Sequence, residues 1–278
     1  MTKSKVGCYG LPGSFTYEAM ESFFEGRDKE ESYYSRFEDL VAAVKNGTIH
    51  YGVIPIENSS TGGITEVYDL IRRYDVRVAG EKCLPIEQYL MGLPGATLEG
   101  LREVYSHPQG FQQSRRFFRN FPSIIQHPSF STSESAVFVK KKGDPAVAAV
   151  AGKAAARLYG LSILAGPVNT DTTNCTRFFI LSNQEEQIEG ADKITLVVQL
   201  SHTPGALYRA LGCFDRAGLN LMNLESRPME HHPFEYFFHI DVMGNLKEEK
   251  VQRALAELKG EAFMVRILGN YKQDGRMP

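Results

Sequence analysis

Tryptophan is absent from the 278 residues, and cysteine occurs only at positions 8, 83, 175 and 213. No two of these cysteines carry zinc-ligand or redox-pair spacing, so neither a structural metal site nor a disulfide framework is indicated. No apolar run approaches the length of a membrane span. Met1-Thr2-Lys3-Ser4-Lys5 passes directly into a strand-like run, so no secretory leader is read there. The formal net charge is −2, which offers no excess for a nucleic acid or an anionic lipid surface. The short run Lys140–Lys142 reads instead as a helix end whose cations face the negative pole of the dipole. These absences point to a reduced, cytoplasmic protein. With 42% hydrophobic and 23% charged residues it can bury real cores, and its length suggests two domains or one domain and a module.

What is present is organised around Asn169-Thr170-Asp171-Thr172-Thr173-Asn174-Cys175-Thr176-Arg177-Phe178. Its polar groups are costly to bury without partners. Two readings stand: a surface loop of turn formers entering an edge strand, or the lining of a cleft with Thr176 and Arg177 aimed at an anion.

The chain before this stretch alternates strands and helices, as an α/β protein does. Val6–Gly10 reads as a strand, Leu11-Pro12-Gly13 as a turn, and Ser14 as the cap of a helix. This is a common anion-binding arrangement, although no GxGxxG fingerprint is present. Tyr51–Ile56 is a strand, and the turn Glu57–Gly63 after it stands where open α/β sheets place ligands. Asn58 and Ser59 suit a carboxylate, or equally the cap of a helix from Ile64. Val104–His107 leads through Pro108-Gln109-Gly110 to a helix from Phe111 to Phe118. Ser131-Thr132-Ser133-Glu134 is a capping box. Two β/α clusters result, and a chain crossing between them near 80–90 and again near 166–180 would form a cleft at the crossing. Beyond a polar linker, Lys193–Leu200, a helix from Pro204 capped by Thr203, Leu219–Arg227, Phe234–Val242 (joined through Met229–Pro233), Leu246–Leu258 and Phe263–Leu268 spell βαββαβ, the ferredoxin-like unit.

Gly10-Leu11-Pro12-Gly13-Ser14-Phe15, Val53–Ser59, Ser106-His107-Pro108-Gln109 and Asn174–Phe178 resemble the successive motifs of prephenate dehydratase. Pro204-Gly205-Ala206-Leu207 and Glu225-Ser226-Arg227-Pro228 resemble those of its phenylalanine-binding ACT domain. The resemblance spans nearly the whole chain in order, with Leu11 and Thr61 as mild departures. It implies a catalytic region, 1–184, of two α/β subdomains with a cleft between them, similar to type 2 periplasmic binding proteins. An ACT domain over 192–272 would follow. It further implies the monofunctional type, decarboxylating dehydration of prephenate to phenylpyruvate in phenylalanine biosynthesis, inhibition by L-phenylalanine, and a homodimer or homotetramer. Neither cofactor nor metal is expected, since aromatisation of the ring drives the reaction, and neither nucleic acid nor membrane is expected as a partner. An arogenate dehydratase and a non-catalytic bilobal amino-acid sensor are the alternatives.

Under that resemblance Thr176 meets the leaving hydroxyl, by donating a hydrogen bond or relaying a proton. Arg177 either grips a carboxylate or forms a structural ion pair, and Phe178 packs beneath them. Substrate contacts are expected among Ser14, Asn58, Ser59, Ser106, His107, Gln109, Ser131, Thr132 and Asn174, with His107 and Glu57 as alternative acids. Effector contacts are expected among Gly205, Ala206, Leu207, Asn223, Leu224, Glu225, Ser226, Arg227 and Pro228, Arg227 being equally suited to an interface. A fragment ending near Gln184 is expected to keep activity and lose the response to phenylalanine.

Overall fold

The computed structural model describes residues 3–229 and 232–275. In chain order these form β1 (Ser4–Tyr9), α1 (Phe15–Phe23), β2 (Lys29–Tyr34), α2 (Phe37–Lys45), β3 (Tyr51–Asn58), β4 (Gly62–Gly63), α3 (Thr65–Tyr74) and β5 (Arg77–Pro85). Next come β6 (Tyr89–Gly92), β7 (Glu103–Ser106), α4 (Pro108–Gln113), α5 (Arg115–Phe118), β8 (Ile125–Pro128), α6 (Thr132–Lys142), β9 (Val147–Ala151), α7 (Lys153–Tyr159) and β10 (Ser162–Ala165). The remainder is β11 (Cys175–Ser182), β12 (Lys193–Leu200), α8 (Ala206–Arg216), β13 (Leu221–Met229), β14 (His232–Met243), α9 (Glu249–Glu261) and β15 (Ala262–Tyr271). The expected turn Met229–Pro233 lies partly outside the described residues, as do Met1 and Thr2.

The chain divides into two compact units. One holds residues 1–36, 58–62 and 83–176; the other holds 37–57, 63–82 and 177–278. In the first, β1 and β2 pair in parallel around α1, and a five-stranded mixed sheet runs β10-β6-β9-β7-β8. Its central strand shows how sequence dictates layering. Val147-Ala148-Ala149-Val150-Ala151 is buried throughout, as a strand covered on both faces must be. The odd positions join Ala136, Val139 and Ala155 in one core. The even ones join Val104, Phe118 and Ile124 in another.

In the second unit β12–β15 with α8 and α9 follow the order βαββαβ, and the antiparallel sheet runs β13-β14-β12-β15. Ile194, Leu196 and Val198 of β12 and Ile240 and Val242 of β14 pack against Ala210, Phe214, Ala254 and Leu258 of the two helices. Alternation sends Lys193, Thr195, His239 and Asp241 to the opposite face, where all four are nonetheless buried.

Three local expectations change. The helix expected from Pro204 begins at Ala206 with Gly205 as cap; the left-handed φ of Gly205, 80°, interrupts the chain there and no side chain caps the helix. Thr203 instead exchanges a hydrogen bond with Ser201. The helix expected over 111–118 starts at Pro108, capped by His107, and is split at Ser114. Neither Asn58 nor Ser59 caps α3, which starts after Ile64 with no side-chain cap.

Candidate functional site

Asn58 ends β3 and turns its side chain toward the start of β11. Its Oδ1 accepts from the Ser60 and Thr61 amides at 3.0 and 3.2 Å, a local turn that fixes the plane of the carboxamide. Its Nδ2 therefore faces Asn174 Oδ1 at 2.7 Å, the Cys175 carbonyl at 3.0 Å and Thr176 Oγ1 at 2.9 Å. Ser59 ties the same two segments through backbone and side chain: its N–H donates to Cys175 O and its Oγ accepts from Cys175 N–H, at 2.8 and 2.9 Å. Ser60 Oγ donates to Asn174 Oδ1 at 3.2 Å. The Nδ2 of Asn174 is buried without a partner.

This set is neutral, donor-rich and directional. Thr176 Oγ1 accepts from Asn58, so its own proton is free to point elsewhere. A hydroxyl held in that way can donate to an oxygen that is gaining negative charge as its bond breaks.

The surface-loop reading holds for the first half of the 169–178 stretch, although the strand it enters, β11, lies between β3 and β5 and not at an edge. Thr170 through Thr173 are exposed and satisfy themselves locally: Asp171 Oδ1 accepts from the Thr173 amide and hydroxyl, and these bonds, the Thr173 hydroxyl first, lower the pKa of the Asp171 carboxyl. From Asn174 the chain turns inward. The other crossing segment runs beside it, with Ile86 N–H donating to Asn174 O at 2.8 Å and Gln88 N–H to Asn169 Oδ1 at 3.1 Å.

Several expected substrate contacts have a structural role. Ser106 is fully buried and donates to the Val150 carbonyl at 2.8 Å, beside Gly110, where a Cβ would strike its hydroxyl. Ser14 caps α1 by accepting from Tyr17 N–H, and Ser131 caps α6 by accepting from Glu134 N–H. His107 caps α4 through Nδ1, which accepts from Gln109 N–H at 3.2 Å, and burial lowers its pKa, favouring the neutral ring. It is thus a poor acid near neutrality. Gln109 and Thr132 are half-buried, and Thr132 lies against Gly110.

Arg177 takes the ion-pair reading. It is 3% exposed, its Nε lies 2.8 Å from Glu57 Oε1, and its Nη1 lies 2.6 Å from Asp241 Oδ2 and 3.2 Å from Glu81 Oε2. Lys193 Nζ meets Glu81 at 2.8 Å, and Thr195 Oγ1 donates to Asp241 Oδ1 at 2.6 Å. Burial alone would raise the Asp241 carboxyl; the charges of Arg177 and Lys193 outweigh it and hold it below its ordinary value. Phe178 is core, as expected. Glu81, Lys193, Thr195 and Asp241 escaped the sequence reading. Charges inside the apolar runs Lys193–Leu200 and Phe237–Met243 were the available signal, because a strand rarely buries them unpaired.

The expected effector residues separate. In β13, Asn223, Glu225 and Arg227 face α3: Asn223 Nδ2 donates to Tyr68 OH at 2.8 Å, and Arg227 grips Asp69 at 3.1 and 2.8 Å. Glu225 lies beside Gly63. Leu224, Ser226 and Pro228 are exposed on the alternate side. Gly205–Leu207 instead adjoin a cavity of about 400 Å³ lined by Leu200, Ser201, Thr203, Pro204, Leu207, Tyr236 and Phe238, among others. Among the described residues no cluster of three or more His, Cys, Asp or Glu could hold a metal ion, and no helix is long and apolar enough to cross a membrane.

Residues 6–186 match the family model for prephenate dehydratase. The bifunctional chorismate mutase/prephenate dehydratase of Enterobacter agglomerans is 33% identical over 99% of this chain and 72% of its own length. Among solved structures, prephenate dehydratase from Arthrobacter aurescens in complex with L-Phe superposes with a TM-score of 0.89 at 30% identity, covering 99% of this chain and 92% of its own. A structure described as GqqA, a novel type of quorum quenching acylase, reaches the same TM-score and identity, with 98% of both chains covered.

Proposed function

The chain belongs to the prephenate dehydratase family of hydro-lyases, and on that premise we propose that it converts prephenate to phenylpyruvate in phenylalanine biosynthesis under feedback control by L-phenylalanine. In this reaction the ring carboxylate leaves as carbon dioxide. Its bonding electrons enter the ring, and the hydroxyl departs with a proton as water. Aromatisation supplies the driving force, so the protein's task is to assist the departing oxygen. The observation that carries the reading is the bond from Asn58 Nδ2 to Thr176 Oγ1, which leaves the Thr176 proton available to that oxygen. An alcohol is a weak acid, so Thr176 donates a hydrogen bond or relays a proton from a stronger acid. Asn174, whose own Nδ2 is buried without a partner, and Ser59 are the nearest candidate contacts for substrate.

Residues 1–184 are read as the catalytic region of two α/β lobes, and 192–272 as an ACT regulatory domain. The βαββαβ order supports the latter, as does the phenylalanine bound in the Arthrobacter structure. The cavity beside Gly205–Leu207 suits an amino acid of that size. A homodimer or homotetramer in the cytoplasm completes the proposal, with the edge strand β13 available for pairing across a two-fold axis.

The acylase description of one neighbour suggests a second chemistry. Amide hydrolysis by Thr176 would need a base to take its proton, and the group bonded to its oxygen here is the Asn58 carboxamide, a donor and not a base; that favours dehydration. The deciding experiment supplies the purified protein separately with prephenate, arogenate and an N-acyl amide, and follows phenylpyruvate, phenylalanine and free amine, with and without L-phenylalanine. Phenylpyruvate formed at least about tenfold faster than phenylalanine, and suppressed by L-phenylalanine, is the expected result. Dominant phenylalanine or amine formation would replace the assignment.

A further inference from the structure

The chain leaves one compact unit for the other at the peptide bonds Glu57–Asn58 and Thr176–Arg177. Asn58 and Thr176 form the candidate catalytic pair. Their covalent neighbours Glu57 and Arg177 form an ion pair of 2.8 Å. Each strand thus presents one residue to the reaction and the next to a buried charge cluster.

That cluster is supplied largely by the βαββαβ module. Arg177 Nη1 is closest to Asp241 of β14, and Lys193 of β12 neutralises Glu81, which also touches Arg177. Tyr271 of β15 bonds to Thr195, which in turn orients Asp241. In a buried setting such contacts are electrostatically strong, and separating one partner leaves an uncompensated buried charge. β14 also carries Tyr236 and Phe238, which line the cavity beside Gly205–Leu207. A ligand that displaces β14 therefore acts on Asp241.

We propose that Asp241 is a positioning residue for the dehydration, acting through Arg177 on Thr176, and that the Asp241–Arg177 ion pair carries the ligand state of the module to the reacting centre. The inference rests on phenylalanine being the ligand of that module. A physical route for coupling requires an element that both sites bias, and β14 with Arg177 is such an element.

The test is Asp241→Asn in the full chain, a change that keeps the shape and the bond from Thr195 and removes the charge. Phenylalanine affinity is read by equilibrium dialysis, and kcat and KM are read with and without saturating phenylalanine. Coupling in such systems is on the order of 5–150-fold. In the variant it should fall to less than about twofold while the Kd for phenylalanine stays within about threefold. Without effector, kcat should drop and KM stay within about threefold, because the residue acts on the reacting centre and not on binding. Thr195→Val, which keeps every charge and removes the bond orienting Asp241 together with the one to Tyr271, should show the same loss in smaller measure and serves if the first variant does not fold. Full coupling in both variants, or a change confined to KM, overturns the proposal. Natural protein that neither binds nor responds to phenylalanine would overturn the effector assignment as well, which separates the two failures.

Discussion

Asn58 donates to Thr176 across 2.9 Å, and the same carboxamide accepts from the Ser60 and Thr61 amides. A side chain pinned at its oxygen has no freedom to flip, so its donor end is committed to β11. The Thr176 hydroxyl is oriented before any ligand arrives. Preorganisation of this kind costs nothing at the moment of reaction.

Asn58→Asp keeps the turn and the volume but replaces the donor with a carboxylate, which takes the Thr176 proton for itself. We expect kcat to fall by about 10²–10³, with a lower melting temperature as well because the buried carboxylate faces the Asn174 Oδ1 and Cys175 carbonyl acceptors. Steady-state kinetics beside a thermal melt check this, and a loss under about tenfold would reduce Asn58 to a loop residue.

Thr176→Val preserves the branched shape of the strand residue and deletes the hydroxyl. The expected loss is about 10²–10⁴-fold in kcat, or roughly 3–5 kcal/mol. Thr176→Ser, which retains the hydroxyl, should stay within about tenfold of the natural protein. Equal activity in the Val and Ser variants would move the chemistry to another residue.

Glu18 sits on α1 against Gly152, where a Cβ would meet its carboxylate. Burial pushes its pKa from 4.5 up to about 7. A carboxyl raised on folding is protonated in the native state while the unfolded chain has already lost the proton, so stability falls as pH rises from about 4.5 to about 7. Glu18→Gln should abolish that fall, gaining on the order of 2–3 kcal/mol at pH 8 relative to the natural protein and nothing at pH 4. Urea titrations at the two pH values read the difference directly.

His239 behaves in the opposite sense. It is 2% exposed, packs edge-on against Tyr68, and burial lowers its pKa from 6.5 to about 4. The native ring resists protonation that the unfolded chain accepts, so its stabilising effect is whole above 6.5 and is lost as pH falls toward about 4. Near pH 5 the deficit is about 2 kcal/mol. His239→Leu should flatten the acid limb of stability between those values, as denaturant melts at pH 7 and pH 5 would show.

Much of this molecule can be read from local pattern. Alternation in β12, broken only at Val197, and the turn residues around it point to a βαββαβ unit, and Asn174–Phe178 marks itself by changing from polar to apolar within five residues. Capping is equally local, which is why Ser14 and Ser131 could be foreseen as caps and not distinguished from ligand contacts. What stayed hidden is long-range. Asp241 and Arg177 are 64 residues apart, and neither strand alone says which buried charge answers which. Gly205 shows a subtler limit: Thr203-Pro204 is a good helix start by composition, and only the left-handed backbone at the next position moves that start to Ala206.

The charge cluster bears on how such a protein can be taken apart. Cutting after Gln184 removes Asp241 and Lys193 while leaving Arg177, Glu57 and Glu81 in place, so two cations facing three carboxylates become one facing two. The βαββαβ module is therefore not a portable cassette. A graft of another module onto this chain, or of this module onto another chain, carries over intact only if an acid at the place of 241 and a cation at the place of 193 travel with it.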